Sequence, residues 1–340
     1  MSSKLRVVID YDKGDHFFND SSNDYPFTNR ANLKELCSFY KLELLKIELF
    51  CNVNLDWQGL FFHKKIDGKV YIFSGGRFGF SGFVPVMNEN PVSSYLNLIE
   101  IELNKIEIGS CSLSISFLAD LSKESNEIWQ TSSVSYLVAN TQESTDENGL
   151  CFKKAITRSN LSRNLKKAKA KEFICKEVFD FEALKLWHES CHLPRIKELN
   201  GKIWDIELLS KCIDNGTASL VCVFDKEENM LGGCYILKSR LVLEFFMMSS
   251  TRENQILGVN SVLTEFLYLM ANRENMNFIN WQASNPPEGP LVRFKKEWNA
   301  KEYNFNIYNK NFSKYLDQNF IETHFKDCYI FPFSNLKLKT

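Results

Sequence analysis

The sequence predicts an α/β protein of two domains, and three observations carry that reading. The chain has 340 residues, more than twice the ~150 of an average domain. Short apolar runs of strand character alternate along it with segments of helical spacing. A polar, turn-rich run, Asn140 to Gly149 (NTQESTDENG), separates the halves, which sets the expected domains at 1–148 and 149–340. The C-terminal tail of about 30 residues is expected to pack back on the first domain.

Composition narrows the class. With 44% hydrophobic and 24% charged residues, the chain can bury a full core. Lys+Arg 41 against Asp+Glu 42 excludes a protein that mainly coats nucleic acid or anionic membrane, since those carry a large positive excess. No window approaches the ~18 uninterrupted apolar residues of a spanning helix, and the run Leu241 to Met248 is broken by Glu244. The amino terminus reaches Asp10 before a signal-peptide core could form. The expected address is cytoplasmic, without membrane insertion. The 10 cysteines are scattered singly with no CxxC pair, so they read as small hydrophobes in a reducing compartment.

In the first half, Asn32 to Leu45 has helical spacing at Leu33, Leu36, Phe39 and Tyr40. Trp57 to His63 and Val70 to Phe73 flank a turn whose Asp67-Gly68 marks a hairpin. A glycine-rich stretch from Gly75 to Gly79 follows, where backbone could approach an acceptor or simply turn. Residues 92 to 105 read as helix and Ile106 to Leu118 as strand.

The second half opens with a basic helix, Ile156 to Glu172, and a strand, Phe173 to Phe179. A helix from Phe181 is expected to stop at Pro194. Another, Asp205 to Ile213, ends at Asn215-Gly216. Ala218 to Leu237 is a hairpin and Leu241 to Met248 a third strand. A long helix carries Val259, Val262, Leu263, Phe266, Leu267 and Met270 at a 3.6 period. Strand Asn277 to Ala283, helix Leu291 to Trp298 and strand Tyr303 to Tyr308 complete the order.

That order resembles an acyl-CoA-binding GNAT domain. At its strand-to-helix turn stands Gln255-Ile-Leu-Gly258-Val-Asn260. The GNAT pyrophosphate pattern there is Gln/Arg-x-x-Gly-x-Gly/Ala, in which small residues let phosphate approach amides at a helix N-terminus. Gln255 and Gly258 match; Asn260 departs and would crowd the phosphate. Ser159 to Lys169, with Arg163, Lys166 and Ala168, is similar to the helix opening the second domain of FemAB-like acyltransferases. Asn280-Trp281-Gln282-Ala283, then Arg293-Phe294-Lys295-Lys296-Glu-Trp298, is similar to that family's closing motif, with Asn299-Ala300 where the family has glycine.

The resemblance implies two GNAT-like domains, each a mixed, mostly antiparallel sheet with flanking helices. It implies N-acyl transfer from acyl-CoA, as co-substrate, to the amine of an amino-sugar nucleotide or similar surface-glycan precursor, without metal. Lys295 then lies at the reaction centre, and Glu244 is a candidate proton acceptor; an acid there otherwise pairs in the core. Gln255, Gly258 and Asn260 would bind the donor, and Arg195, Phe294, Gln282 and Arg163 the acceptor. Two other readings stay open: an aminoacyl-tRNA-dependent peptidoglycan-type transferase, with the basic helix touching tRNA, and a non-catalytic GNAT-like binding protein.

His188-Glu189-Ser190-Cys191-His192 fits H-E-x-x-H, a helical zinc motif. Pro194 follows at once and no third ligand stands out, so the histidines are expected to be structural.

Overall fold

The structure is a computed structural model. It describes residues 4–11, 29–74, 82–87, 89–115, 129–146, 149–151, 160–201, 203–283, 289–313 and 316–325. The Gly75–Gly79 loop and the start of the expected basic helix, including Arg158, lie outside those residues.

The chain forms two compact units. The first takes Leu33–Val134 with the terminal stretches up to Ser22 and from Asn304; the second takes Ser135–Tyr303 with Asn23–Asn32. The first contains β1 (Leu5–Tyr11), α1 (Arg30–Tyr40) from Leu33 onward, β2 (Glu43–Cys51), β3 (Asn54–Ile66), β4 (Lys69–Phe73) and β5 (Phe83–Pro85). A 3₁₀ turn at Val92–Tyr95 runs into α2 (Leu96–Leu103), and β6 (Ile108–Ser114) follows.

Within β7 (Gln130–Asn140) the chain enters the second unit, with α3 (Thr141–Ser144), β8 (Thr145–Asp146), β9 (Gly149–Leu150), α4 (Asn160–Lys169) and β10 (Ile174–Val178). Next come α5 (Phe181–Trp187), a π-helical turn (His188–His192), α6 (Leu193–Glu198) and α7 (Ile206–Asp214). Strands β11 (Ala218–Phe224), β12 (Met230–Lys238) and β13 (Val242–Ser250) lead to α8 (Arg252–Ile256), α9 (Val259–Arg273), β14 (Phe278–Ala283) and α10 (Pro290–Glu297). Within β15 (Lys301–Asn311) the chain returns to the first unit, where α11 (Gln318–Phe325) is the last described element.

Each unit has a mixed, mostly antiparallel sheet. The first runs β1-β2-β3-β4-β6-β15, with β5 also on β3, and its parallel pair is β4–β6. The second runs β7-β14-β13-β12-β11-β10, and its parallel pair is β13–β14. The period-2 face of β2 (Leu45, Ile47, Leu49) meets Leu96, Ile99 and Leu103 of α2 in the first core. In the second, Val259, Leu263, Leu267 and Met270 of α9 cover Val221, Cys234, Leu243 and Phe245.

Several expectations are corrected. The helix predicted to Leu45 ends at Tyr40, because Lys41 turns through φ 52° and the Leu44-Leu45 pair joins β2. Within the run Asn140 to Gly149, the described residues are built: the Asn140 side chain accepts from Glu143 N at 3.1 Å, capping α3, and β8 pairs with β9. Pro194 does not stop its helix. The π turn resets the hydrogen bonding, and the proline falls in the first turn of α6, where no donor is needed. The long helix after Arg252 is two helices, α8 and α9, parted by Gly258.

Candidate active site

In the second unit, β13 and β14 pair over three residue pairs only: Val242 with Phe278, Leu243 with Ile279, and Glu244 with Asn280. Beyond them the strands part. Strand β13 continues along β12 to Ser250, with a bulge between its partners Tyr235 and Ile236. Strand β14 shifts register against β7 between Asn280 and Ala283, and Gln282 takes φ 60°. Two bulges thus frame a fork between parallel strands, an arrangement that re-aims side chains and frees backbone groups from the ladder.

Glu244 and Asn280 face each other across the last pair, both fully buried. Neither Glu244 carboxylate oxygen, nor Asn280 Nδ2, has a hydrogen-bond partner among the described residues. Burial pushes the Glu244 carboxyl well above the usual carboxylate range; the Gln282 and Asn280 side chains and the Lys295 charge lie near and pull it the other way. Asn280 Oδ1 accepts from Gln282 N at 2.9 Å, which fixes the bulge.

Lys295 of α10 is only 5% exposed. Its Nζ donates to the carbonyls of Trp281 at 2.5 Å and Gln282 at 3.2 Å, the two groups the bulge turns toward it. Burial lowers its pKa to about 8 against the opposing pull of Glu244. An aromatic frame holds this geometry. Phe294 meets Trp281 edge-on with centroids 5.9 Å apart and lies 6.3 Å from Trp298. Trp281 Nε1 donates to Tyr268 Oη at 3.0 Å, and Tyr268 donates to the Trp298 carbonyl at 2.5 Å. Asn299, where the family pattern has glycine, takes φ 62°, a conformation asparagine tolerates, and its Nδ2 donates to Ser144 Oγ at 3.1 Å.

The other expected residues are distributed differently. Gln255 Nε2 donates to the Ser250 carbonyl at 3.1 Å, and Ser250 Oγ is 2.7 Å from Asn260 Oδ1, so both side chains tie the end of β13 to the helices after it. Gly258 caps α9 at φ 88°, and a Cβ there would come 2.7 Å from the Asn164 carbonyl of α4. Arg163 is exposed on α4, beside the exposed Lys166, Lys167 and Lys169. Arg195 pairs with Glu198 at 2.8 Å, one turn along α6, and Arg252 lies 3.4 Å from the same oxygen; together they draw the Glu198 carboxyl down. Phe294 serves as a brace for Trp281.

His188 and His192 are buried on the π turn with ring centroids 5.4 Å apart. His192 stacks on Trp187 at 4.9 Å, and its Nδ1 is 3.2 Å from Ser249 Oγ. Among the described residues no three His, Cys, Asp or Glu side chains gather in a way that could hold a metal ion. No described helix is long and apolar enough to cross a membrane. Sequence reasoning missed the Trp281 and Gln282 carbonyls, Asn280 as Glu244's cross-strand neighbour, and Tyr268; the Asn280-Trp281-Gln282 motif was the signal that pointed nearest to them.

No protein-family model matches this sequence, and neither does any curated protein. Solved structures do. FemX aligns at TM-score 0.61 and 10% identity, covering 85% of this chain and 96% of FemX. A conserved protein of unknown function from Bacteroides thetaiotaomicron aligns at 0.55 and 10%, covering 89% and 99%. The C-terminal domain of a putative lysylphosphatidylglycerol synthetase from Agrobacterium fabrum aligns at 0.51 and 8%, covering 86% and 93%. The chain shares its fold with FemX and with this synthetase domain.

Proposed function

We propose that this chain is an N-acyltransferase that moves an acyl group from acyl-CoA to the amine of an amino-sugar nucleotide or a similar glycan precursor. The observation that carries the reading is the fork of β13 and β14, with Glu244 and Lys295 buried beside it in a FemAB-like fold. A water-poor site strengthens electrostatic interactions within it relative to bulk solvent.

The chemistry follows from the two groups. A neutral amine attacks the donor carbonyl, the N–C bond forms, and negative charge collects on the carbonyl oxygen. Lys295, pushed to about 8, is mainly protonated at neutral pH and supplies the positive charge that stabilises this oxyanion. Glu244 takes the proton that the amine loses; its raised pKa makes it a better-matched base than an exposed carboxylate. Collapse of the intermediate breaks the C–S bond, and the thiolate takes that proton. Gln255, Gly258 and Asn260 would line the donor's approach, with Arg163, Arg195 and Gln282 toward the acceptor.

A donor-by-acceptor screen read by mass spectrometry identifies the reaction. In it, Lys295→Met should fold normally and keep its donor affinity while losing about 10²–10³ in turnover. Lys296→Met should change little, because Lys296 is half-exposed and pairs with Glu302 at 2.7 Å. Parent turnover should fall as pH rises through about 8, where Lys295 loses its charge, and Lys295→Arg should move that limb upward. Full activity in Lys295→Met would remove the proposed centre.

A second reading has one observation in its favour, the likeness to FemX. In that reading the donor is an aminoacyl-tRNA and the acceptor a peptidoglycan-type amine. Transfer from aminoacyl-tRNA but from no acyl-CoA in the same screen would establish it, and neutralising Lys166 and Lys167 would then weaken donor binding.

A further inference from the structure

We propose that Asn280 is a positioning residue for acyl transfer that acts through Lys295: its side chain holds the backbone turn that aims two carbonyls at the lysine Nζ. This role rests on the acyl-transfer reading, in which Lys295 stabilises the oxyanion, and needs no contact between Asn280 and substrate. Asn280 is fully buried at the last paired position of β14 against β13.

One extra residue makes the turn. From Asn280 to Ala283 strand β14 advances three positions, while its partner β7 advances two, from Val138 to Tyr136. Pairing with β13 on the other side has already ended at Glu244 and Asn280. The Trp281 and Gln282 carbonyls are thereby released from the sheet ladder, and Lys295 Nζ donates to them at 2.5 Å and 3.2 Å. Gln282 reaches this geometry at φ 60°, a left-handed conformation that a non-glycine residue holds when its surroundings impose it. The imposing contact is Asn280 Oδ1, which accepts from Gln282 N, two residues on, at 2.9 Å.

A lysine as buried as Lys295 keeps its proton only with support from its neighbours. Burial lowers its pKa to about 8, and Glu244 on β13 pulls the other way. The two carbonyls are acceptors that favour the charged form. Tyr268 of α9 faces the same cluster, its hydroxyl engaged by Trp281 Nε1 and the Trp298 carbonyl. On α10 itself Arg293 and Lys296 are exposed, and Lys296 pairs with Glu302 at 2.7 Å. Releasing the turn withdraws both carbonyls, so Lys295 loses its charge at a lower pH and its Nζ loses its aim.

The full chain labelled with carbon-13 in its lysine side chains reads this charge without any substrate. The resonance missing from Lys295→Met identifies Lys295, and its titration midpoint is then followed by NMR. Asn280→Leu, close to asparagine in size, removes the acceptor. It should lower the midpoint by about one pH unit and turnover by about tenfold, with donor affinity unchanged. Asn280→Asp keeps an acceptor for Gln282 N and adds an acid, so its midpoint should stay at or above the parent's. A side chain that merely filled space would move neither midpoint. Should Asn280→Leu fail to fold, Asn280→Ser carries the test, because a hydroxyl makes the same local bond more weakly; its midpoint should still lie below the parent's. The proposal is overturned if folded Asn280→Leu or Asn280→Ser titrates as the parent does, or if Asn280→Asp falls as far as Asn280→Leu. It is equally overturned if the midpoint falls while turnover is unchanged. If Lys295→Met is inactive and the midpoint unmoved, this inference fails alone; if Lys295→Met is fully active, the acyl-transfer centre fails and this role fails with it.

Discussion

His192 stacks on Trp187, and its Nε2 has no hydrogen-bond partner among the described residues. Burial, with a smaller push from His188, lowers its pKa to about 4. In the unfolded chain the same ring titrates near 6.5. Between these values the unfolded chain binds a proton that the folded chain refuses, so this contribution to stability is complete above about pH 6.5 and declines as pH falls toward 4. The loss at pH 5 is about 2 kcal/mol from this one group. His192→Phe keeps the stacked ring and removes the titration, so its denaturation midpoint should drop less between pH 7 and pH 5 than the parent's. Equal drops would mean that His192 is not held neutral. At this scale the sequence was partly readable. Lys295 could be found because Phe294, Lys295 and Trp298 form a local pattern on one helix. The Trp281 and Gln282 carbonyls that bind it could not, because their direction comes from a bulge set by pairing β14 with β7, more than a hundred residues earlier.

At the scale of elements, packing makes its own demand on a residue that the sequence marks for another purpose. Gly258 stands where a phosphate-binding glycine is expected, yet φ 88° and the α4 backbone together already exclude a side chain. A Cβ would lie 2.7 Å from the Asn164 carbonyl and 3.3 Å from Ala168 Cβ, so α4 and α9 would have to separate. Gly258→Ala should therefore cost about 2–4 kcal/mol, combining the left-handed penalty with overpacking. Chemical denaturation measures this directly, and a variant as stable as the parent would show that α4 yields without cost. Donor affinity of the remaining folded protein then tests the phosphate role separately. Other elements were legible because their signals are local. The Asp67-Gly68 turn adopts φ 48° and 80°, and Asp205 caps α7 by accepting from Glu207 N and Leu208 N. Pro194 misled because its meaning depends on the turn before it: after an α turn it ends a helix, and after the π turn at His188–His192 it begins one.

For the whole chain, the decisive feature is which strand completes which sheet. In the first unit β6 pairs on one side with β4 and on the other with β15, through Ile307 to Asn311 against Ser114 to Ser110. A linker read from polar composition cannot reveal this, since the strand that closes the first sheet arrives more than 150 residues after Gly149. The pairing gives a sharp expectation for a chain cut at 148/149. The piece 1–148 would lack β15, leaving the β6 edge unpaired and the fully buried Tyr308 absent from the first core. It would also lack α11, whose Phe325 lies edge-on to Phe73 at 5.4 Å and whose Phe320 lies 5.1 Å from Tyr71. Losing a sheet strand together with the buried Tyr308 and Phe325 rings, each worth about 3–5 kcal/mol, is of the same size as the whole 5–15 kcal/mol by which a typical domain is stable. Residues 1–148 should therefore be unfolded or aggregated alone, and adding a peptide spanning 301–325 should restore folding in proportion to its concentration. Amide dispersion in a proton–nitrogen NMR spectrum reads both states. A well-dispersed spectrum from 1–148 alone would show that β15 decorates a complete first unit instead of finishing it.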